Sequence, residues 1–176
     1  HILLSKKADV MTADPQGYTA LTGAISFGHF EACQRLINAK ADIDQLRYRK
    51  DKKDPTRNAD QRTLLMLACI GGHDKVATLL LDTKLEESKE AHDHFLNQRN
   101  ASNESALTFC CRFGLVDTVK VLLERGISID HEIAQPYWTS LHRSAANGHE
   151  ATVRELLRGV QVRSGLSRLL DLVNHQ

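Results

Sequence analysis

The stretch TSLHRSAANGH, residues 139–149, decides the fold, because its pattern occurs three times earlier in the chain. The earlier copies are TALTGAISFGH (19–29), TLLMLACIGGH (63–73) and SALTFCCRFGL (105–115). Each copy starts with Thr or Ser, has Leu two residues later, and has Gly nine residues after its start. The starts lie 44, 42 and 34 residues apart. Self-similarity at such spacings indicates a repeat protein, in which each unit packs on its neighbours.

Each copy runs on into a second segment whose apolar residues recur at helical spacing. In the third copy these residues are Val116, Val119, Leu122 and Leu123. The four segments are FEACQRLINAKADID (30–44), DKVATLLLD (74–82), VDTVKVLLERGISID (116–130) and EATVRELLR (150–158). Apolar residues three and four apart form one face of a helix, so each unit is predicted to be a helix–turn–helix followed by a connector.

These residues resemble the ankyrin-repeat family, which repeats about every 33 residues with a T-P-L-H-x-A signature. The fourth unit is nearest in its first half, with Thr139 to Ser144 and Gly148-His149, and the third is nearest in its second half, with Val121 to Gly126. The resemblance covers almost the whole chain. It implies an all-α solenoid of stacked helix–turn–helix units that carry short β-hairpin fingers.

Two departures from the family pattern concern backbone conformation. Lys40 stands where the family usually has Gly at the end of the second helix, a position that favours the left-handed region. A lysine there is expected to cost about 1 kcal/mol. Asn103 replaces the hairpin Gly, and asparagine tolerates that conformation better than other side chains do.

We predict a single domain over residues 1–176. Its repeats span 14–45, 58–96, 97–131 and 132–163, with a partial repeat at 1–13 and a partial repeat or capping helix at 164–176. A solenoid needs polar caps at its ends, and the first half-repeat opens with apolar Ile2 to Leu4. We therefore expect a piece of a longer array; the alternative is that Ile2 to Leu4 fold back as an irregular cap.

Two insertions of opposite charge separate the repeats. The first, 46–57, lies within LRYRKDKKDPTRNAD (46–60) and is rich in Lys and Arg; its place in the register makes it an elongated hairpin finger. The second, 82–95, is rich in Asp and Glu and either extends the preceding helix or adds a turn of its own. We interpret the second as a solvated charged face, with a cross-contact between the two insertions as the alternative.

The sequence predicts no catalytic residue, metal site or cofactor. His29, His73 and His149 follow Gly at one place of their units, which indicates a requirement of the turn. The cysteines, Cys33, Cys69, Cys110 and Cys111, lack zinc spacing and replace small or apolar residues, so buried thiols in a reducing compartment are expected. The H-x-H at His92 and His94 lacks a further evident ligand. Phosphate-loop and nucleophile-elbow motifs are absent from the sequence.

Composition excludes several classes of protein. The chain is 41% hydrophobic and 26% charged, which disfavours global disorder. No apolar run approaches the roughly 18 residues of a membrane span. The formal net charge of +1 disfavours nucleic acid as a partner of the whole molecule. We expect a cytoplasmic monomer, with the nucleus as the alternative compartment.

The resemblance implies a binding surface, because partners of the family usually lie along the concave face of hairpin tips and first helices. Aromatic and Arg side chains most often dominate interface energy. Carried over by position, and with the basic finger included, the predicted partner-binding residues are Tyr18, Phe27, Arg47, Tyr48, Arg49, Arg62, Arg112, Phe113 and Trp138. For Phe27 and Phe113, packing between helices remains the alternative.

The predicted function is a non-catalytic protein–protein interaction scaffold within a larger intracellular protein. The alternative is electrostatic binding of an acidic partner, an import receptor or nucleic acid through the basic finger 46–57. A third possibility is that the array targets a parent enzyme or channel, since fold alone does not choose between parents.

Overall fold

The computed structural model describes residues 9–14, 18–50, 58–129 and 139–174. Within them lie nine helices and one two-stranded antiparallel sheet. The elements are α1 (Ala20–Ser26), α2 (Phe30–Asn38), β1 (Leu46–Lys50), β2 (Asn58–Thr63), α3 (Leu64–Gly71), α4 (Asp74–Glu87), α5 (Lys89–Asn97), α6 (Ala106–Phe113), α7 (Val116–Glu124), α8 (Ser140–Ala146) and α9 (Glu150–Asn174). The predicted helical repeat fold with a short hairpin is confirmed.

The repeated Thr or Ser begins the first helix of every unit. Its side-chain oxygen accepts a hydrogen bond from the backbone N–H three residues later, which satisfies one of the unpaired donors at a helix start. The residues are Thr19, Thr63, Ser105 and Thr139. The repeated Gly then ends the helix in the left-handed region, as at Gly72 with φ 71° and Gly114 with φ 70°. These two signals explain why the helix bounds recur in register.

The helices form two layers. The first helices α1, α3, α6 and α8 pack side by side in that order, and the second helices α2, α4, α7 and α9 form the other layer. Each first helix also packs against its own second helix. Each unit therefore buries apolar faces against its neighbouring units.

The core is deepest in the two middle units. Six successive residues of α3, Leu64 to Cys69, are buried, and so are six of α6, Ala106 to Cys111. A helix that is enclosed by neighbours on all sides can be apolar on all sides. In α8 the buried residues are Ser140 and Ser144, while Leu141 is exposed.

The basic insertion begins in strand β1, and strand β2 follows it in the sequence. Strands β1 and β2 pair antiparallel, with Arg47 opposite Arg62 and Tyr48 opposite Gln61, and the register shifts between Tyr48 and Lys50. Antiparallel strands joined in sequence are the arrangement of a hairpin. Residues 51–57 of the predicted finger lie outside the described residues.

The acidic insertion is folded into the array. Helix α4 continues to Glu87, and Ser88 then caps α5 by accepting a hydrogen bond from the Ala91 N–H. His92, Phe95 and Leu96 are buried. The acidic side chains of Glu86, Glu90 and Asp93 are exposed, as a solvated charged face requires, while the other side of the amphipathic helix α5 packs into the core.

Three further expectations concern the ends of the units. The left-handed conformation expected at Lys40 and Asn103 is confirmed, with φ values of 64° and 59°. Helix α9 is continuous from Glu150 to Asn174, so the predicted boundary at residue 163 falls inside it. Ile2 to Leu4 lie outside the described residues.

Candidate functional site

The turn before α6 positions an acidic side chain on the layer of first helices. The Asn100 Oδ1 accepts hydrogen bonds from the backbone N–H groups of Ser102 at 3.0 Å and Glu104 at 2.8 Å. Asparagine side chains often close turns in this way. Asn103, with its positive φ, completes the reversal. Glu104 is thereby held next to Ser105, the residue that caps α6.

Glu104 joins two units through its carboxylate. Its Oε1 accepts a hydrogen bond from Arg112 of α6 and forms an ion pair with the Nη2 of Arg143 of α8, at 2.8 Å. Its Oε2 accepts one from Asn100 Nδ2 at 3.3 Å. The Glu104 side chain is 14% exposed, so both ion pairs are partly shielded from water.

A third arginine, Arg62, lies near Arg112, because both side chains contact the ring of Phe109. The guanidinium carbons of Arg62 and Arg112 lie 5.4 Å and 5.2 Å from the ring centroid of Phe109. Phe109 is buried. Both distances are within cation–π range. We call the cluster of Arg62, Phe109, Arg112, Arg143 and Glu104 the arginine face.

The arginine face carries an excess of positive charge. Two of its guanidinium groups, those of Arg112 and Arg143, share the one carboxylate of Glu104. Arg112 and Arg143 share a single oxygen of Glu104, so neither forms the two-pronged pair that a guanidinium and a carboxylate favour. Guanidinium donors are therefore left over for a further acceptor.

Two exposed phenylalanines occupy the position before the turn glycine in the first and third units. Phe27 is 75% exposed and Phe113 is 45% exposed. The ring of Phe27 stacks on His29, with centroids 6.2 Å apart. For Phe27 the alternative of packing between helices is wrong, because the ring is mostly in water. Phe113 directly follows Arg112 in α6.

The structure brings some of the predicted site residues together. Arg62 and Arg112 meet over Phe109. Arg47 lies across the sheet from Arg62, with Tyr48 and Arg49 following in β1. Tyr18 is half-buried in the first unit, where its N–H donates to Asp14. The prediction for Trp138 falls outside the described residues.

Sequence reasoning missed Glu104 and Arg143. Glu104 stands at the same repeat position as Arg62, immediately before the capping Thr or Ser, so its position was on the predicted strip. Arg143 aligns with Phe109, a buried residue, and this equivalence hides its charge from a position-by-position comparison. The available signal was that Arg143 is a charged residue at a core position.

The turn histidines link neighbouring units. The Nε2 of His73 donates to the Ser26 carbonyl at 3.2 Å, and the Nε2 of His149 donates to the Arg112 carbonyl at 3.0 Å. A Cβ on Gly28 would lie 2.4 Å from the His73 ring, so only glycine leaves room for this contact. The predicted structural role is confirmed for His73 and His149.

The cysteine thiols are poor nucleophiles. All four are free and buried. Burial raises the pKa of the Cys33 thiol to about 11. Burial and a hydrogen bond with Cys69 raise the pKa of Cys110 well above its usual value. Because the thiolate is the reactive form, the raised pKa values keep the thiols of Cys33 and Cys110 protonated and unreactive near neutral pH.

A second charged region lies between α2 and α4 in the layer of second helices. Its groove encloses about 510 Å³, and its lining includes the carboxylates of Asp42, Asp44, Asp82 and Glu86. We call it the acidic groove. Lys84, whose side chain is 4% exposed, donates to Asp44 at 2.6 Å. Asp82 accepts a hydrogen bond from Arg125 of the next unit.

The described ranges hold no group of three or more His, Cys, Asp or Glu side chains that could bind a metal ion. In the same part of the chain, no helix has both the length and the apolar composition needed to cross a membrane.

Two family models match the sequence. The one described as ankyrin repeats (3 copies) matches residues 45–133 and 89–165. The one described as ankyrin repeat matches residues 16–48. Together the matches extend from residue 16 to residue 165, which is most of the chain.

Proposed function

The chain belongs to the ankyrin-repeat family, and from that membership we propose that it is a non-catalytic scaffold that holds another protein on its layer of first helices. Ankyrin repeats are generally protein–protein interaction modules. The observation that carries the proposal is the exposure of Phe27 and Phe113 at equivalent positions, the second of them directly after Arg112 in the sequence.

Exposed phenylalanine is the strongest part of this support. Burying a phenylalanine side chain contributes about 1.5–3 kcal/mol relative to leaving it in water. At 75% exposure, Phe27 retains most of that gain for a complex. Arg112 and Arg62 supply the other residue type that is enriched where interface energy concentrates.

The arrangement of nucleophiles and bases supports the non-catalytic part of the proposal. General base catalysis needs a titratable group that reaches a reacting atom. His73 and His149 are instead bonded to backbone carbonyls, and the cysteine thiols are buried.

The test is a comparison of variants against one purified interactor. An interactor captured with the wild-type chain is purified and titrated against wild type, the double variant Phe27→Ala/Phe113→Ala, and the control Leu157→Ala. Leu157 is a 47%-exposed residue of α9 outside the proposed surface. We expect the dissociation constant to rise at least about tenfold for the double variant alone. Equal affinity of the double variant and wild type would refute the proposed surface.

A second candidate function is electrostatic binding through the basic finger 46–57. The favouring observation is the register that sets Arg47 opposite Arg62, because it makes the finger continuous with the arginine face. The finger would take an acidic protein, an import receptor or nucleic acid. If it takes nucleic acid, a mobility shift should appear at low salt and weaken steeply as salt rises. The absence of any shift at low salt excludes nucleic acid.

A further inference from the structure

We propose that the segment held on the arginine face is an acidic peptide, and that Glu104 occupies part of its binding site when the peptide is absent. This inference rests on the proposed scaffold function and specifies the chemistry of its partner. A carboxylate of the partner would contact the guanidinium groups of Arg112 and Arg143, beside the exposed ring of Phe113.

The hydrogen-bond pattern around Glu104 indicates what this site recognises. Arg112 and Arg143 come from different units and converge on one carboxylate oxygen, so the spacing of the two guanidiniums already suits a carboxylate. Each guanidinium has five N–H donors and needs more than one shared oxygen to use them. The Nε of Arg143 is buried and has no hydrogen-bond partner among the described residues. A second carboxylate would accept from the exposed parts of the two guanidiniums, whose side chains are 31% and 23% accessible.

Desolvation at the cluster strengthens this preference. The side chains of Arg112 and Arg143 are 31% and 23% exposed, so their charges are only partly screened by water. Arg62 lies over the same buried ring as Arg112. Guanidiniums that are fixed by an aromatic ring and an ion pair lose little side-chain entropy when a ligand binds.

A peptide fits these features better than a nucleic acid does. The formal net charge of +1 disfavours a nucleic acid, because nucleic-acid binding relies on many phosphate contacts across a broadly basic surface. Glu104 would repel every phosphate of a backbone that passes over it, whereas a peptide needs to bring only one carboxylate to the site. The aromatic ring at the centre, Phe109, is buried and therefore offers no face on which a base could stack.

The probe is a fluorescein-labelled peptide of ten glutamates, titrated by anisotropy against the full 176-residue chain. A ten-residue lysine peptide and a ten-nucleotide oligothymidine serve as the opposite-charge and nucleic-acid probes. Saturable binding of the glutamate peptide alone is expected. Equal or tighter binding of oligothymidine would overturn the choice of a peptide, and no binding of the glutamate peptide would overturn the inference.

The variants locate the site. Arg112→Gln/Arg143→Gln should raise the dissociation constant of the glutamate peptide by about tenfold, because two charge-assisted contacts are lost. Arg154→Gln is the matched control, since Arg154 is a 69%-exposed arginine of α9 that pairs within its own helix. A third variant, Arg47→Gln/Arg49→Gln, tests the finger. Loss of binding in the finger variant alone would overturn the assignment to the arginine face.

The variant Glu104→Gln tests whether the Glu104 carboxylate competes with the peptide for the two arginines, as opposed to a general attraction of the chain for acidic peptides. Removing the resident carboxylate should make the glutamate peptide bind about fivefold tighter, while lysine peptide binding stays undetectable. Circular dichroism establishes that each variant is folded. Weaker or unchanged binding by this folded variant would contradict the role assigned to Glu104. If the purified interactor still loses affinity with Phe27→Ala/Phe113→Ala, the scaffold function would stand without an acidic partner.

Discussion

The arginine face lies on the layer of first helices and the acidic groove on the layer of second helices, and the two regions balance charge differently. In the groove, two of the four lining carboxylates form ion pairs, Asp44 with Lys84 and Asp82 with Arg125. On the arginine face, Arg112 and Arg143 share Glu104, and Arg62 lies nearby over Phe109. Paired charges such as those in the groove hold neighbouring units together. On the arginine face, two guanidinium groups share one carboxylate and keep donors for a partner, so we assign stability to the ion pairs of the groove and recognition to the arginine face.

The largest expected loss of stability comes from a substitution in the hydrophobic core, which supports both regions. Leu107 of α6 is fully buried between the middle units. Leu107→Ala should lower the free energy of unfolding by about 2–5 kcal/mol, because it leaves a cavity in the core. Urea denaturation followed by circular dichroism measures the change. The exposed Leu157→Ala should have little effect, and a similar loss in both variants would mean that the helix packing is misassigned.

Breaking an ion pair in the acidic groove should be the next largest effect. Lys84 is nearly inaccessible, whereas Asp44 is 53% exposed. Asp44→Ala should therefore cost about 1–3 kcal/mol, since it removes the carboxylate that compensates a buried ammonium. Lys84→Met should cost less, because methionine retains the aliphatic packing and Asp44 can regain water. Chemical denaturation of both variants tests this order, and the reverse order would contradict a structural role for the pair.

A gain in stability is expected at Lys40, which also lines the groove. Its φ of 64° is unfavourable for any residue with a Cβ, and Gly126 holds the equivalent position of the third unit with φ 89°. Lys40→Gly should raise the free energy of unfolding by about 1 kcal/mol. Thermal denaturation can detect it. No gain would imply that the lysine side chain makes a compensating contact.

The smallest expected change in stability is on the arginine face. Glu104→Gln removes the carboxylate between Arg112 and Arg143, and these partly exposed pairs should be worth less than about 1 kcal/mol. Stability should therefore fall slightly while affinity for the glutamate peptide rises. A small loss of unfolding free energy together with a gain of peptide affinity would indicate that the region serves binding. A large loss of unfolding free energy would indicate that Glu104 stabilises the fold, as the ion pairs of the groove do.

The repeats explain why much of the fold could be predicted from sequence. The capping Thr or Ser and the turn Gly recur at fixed spacing, so one unit sets the register for the next, as at Thr63 and Gly72. Helix α5 could not be predicted in this way, because the insertion has no counterpart in the other units. Its burial depends on Phe95 and Leu96 reaching the core, which is a tertiary event.

The sequence predicted which repeat positions lie on the interaction surface, but not which side chains contact each other there. The alignment placed Arg62 and Arg112 on one strip, but it could not show that both approach Phe109. Nor could it show that Arg143 reaches across from the next unit to Glu104. Contacts of this kind depend on how adjacent units stack and on which rotamers the long side chains adopt, and neither is encoded in the repeat pattern.

The most direct test follows the arginine side chains themselves. In a ¹⁵N-labelled sample, the Nε–H signals of the arginines are assigned and followed while the glutamate peptide is added. We expect the Nε–H signals of Arg112 and Arg143 to shift until the peptide saturates the site, while the signals of Arg125 in the groove and Arg154 on α9 stay unchanged. Equal shifts at Arg125, or shifts spread evenly over all arginines, would contradict the claim that the unbalanced charge of the arginine face is the binding site.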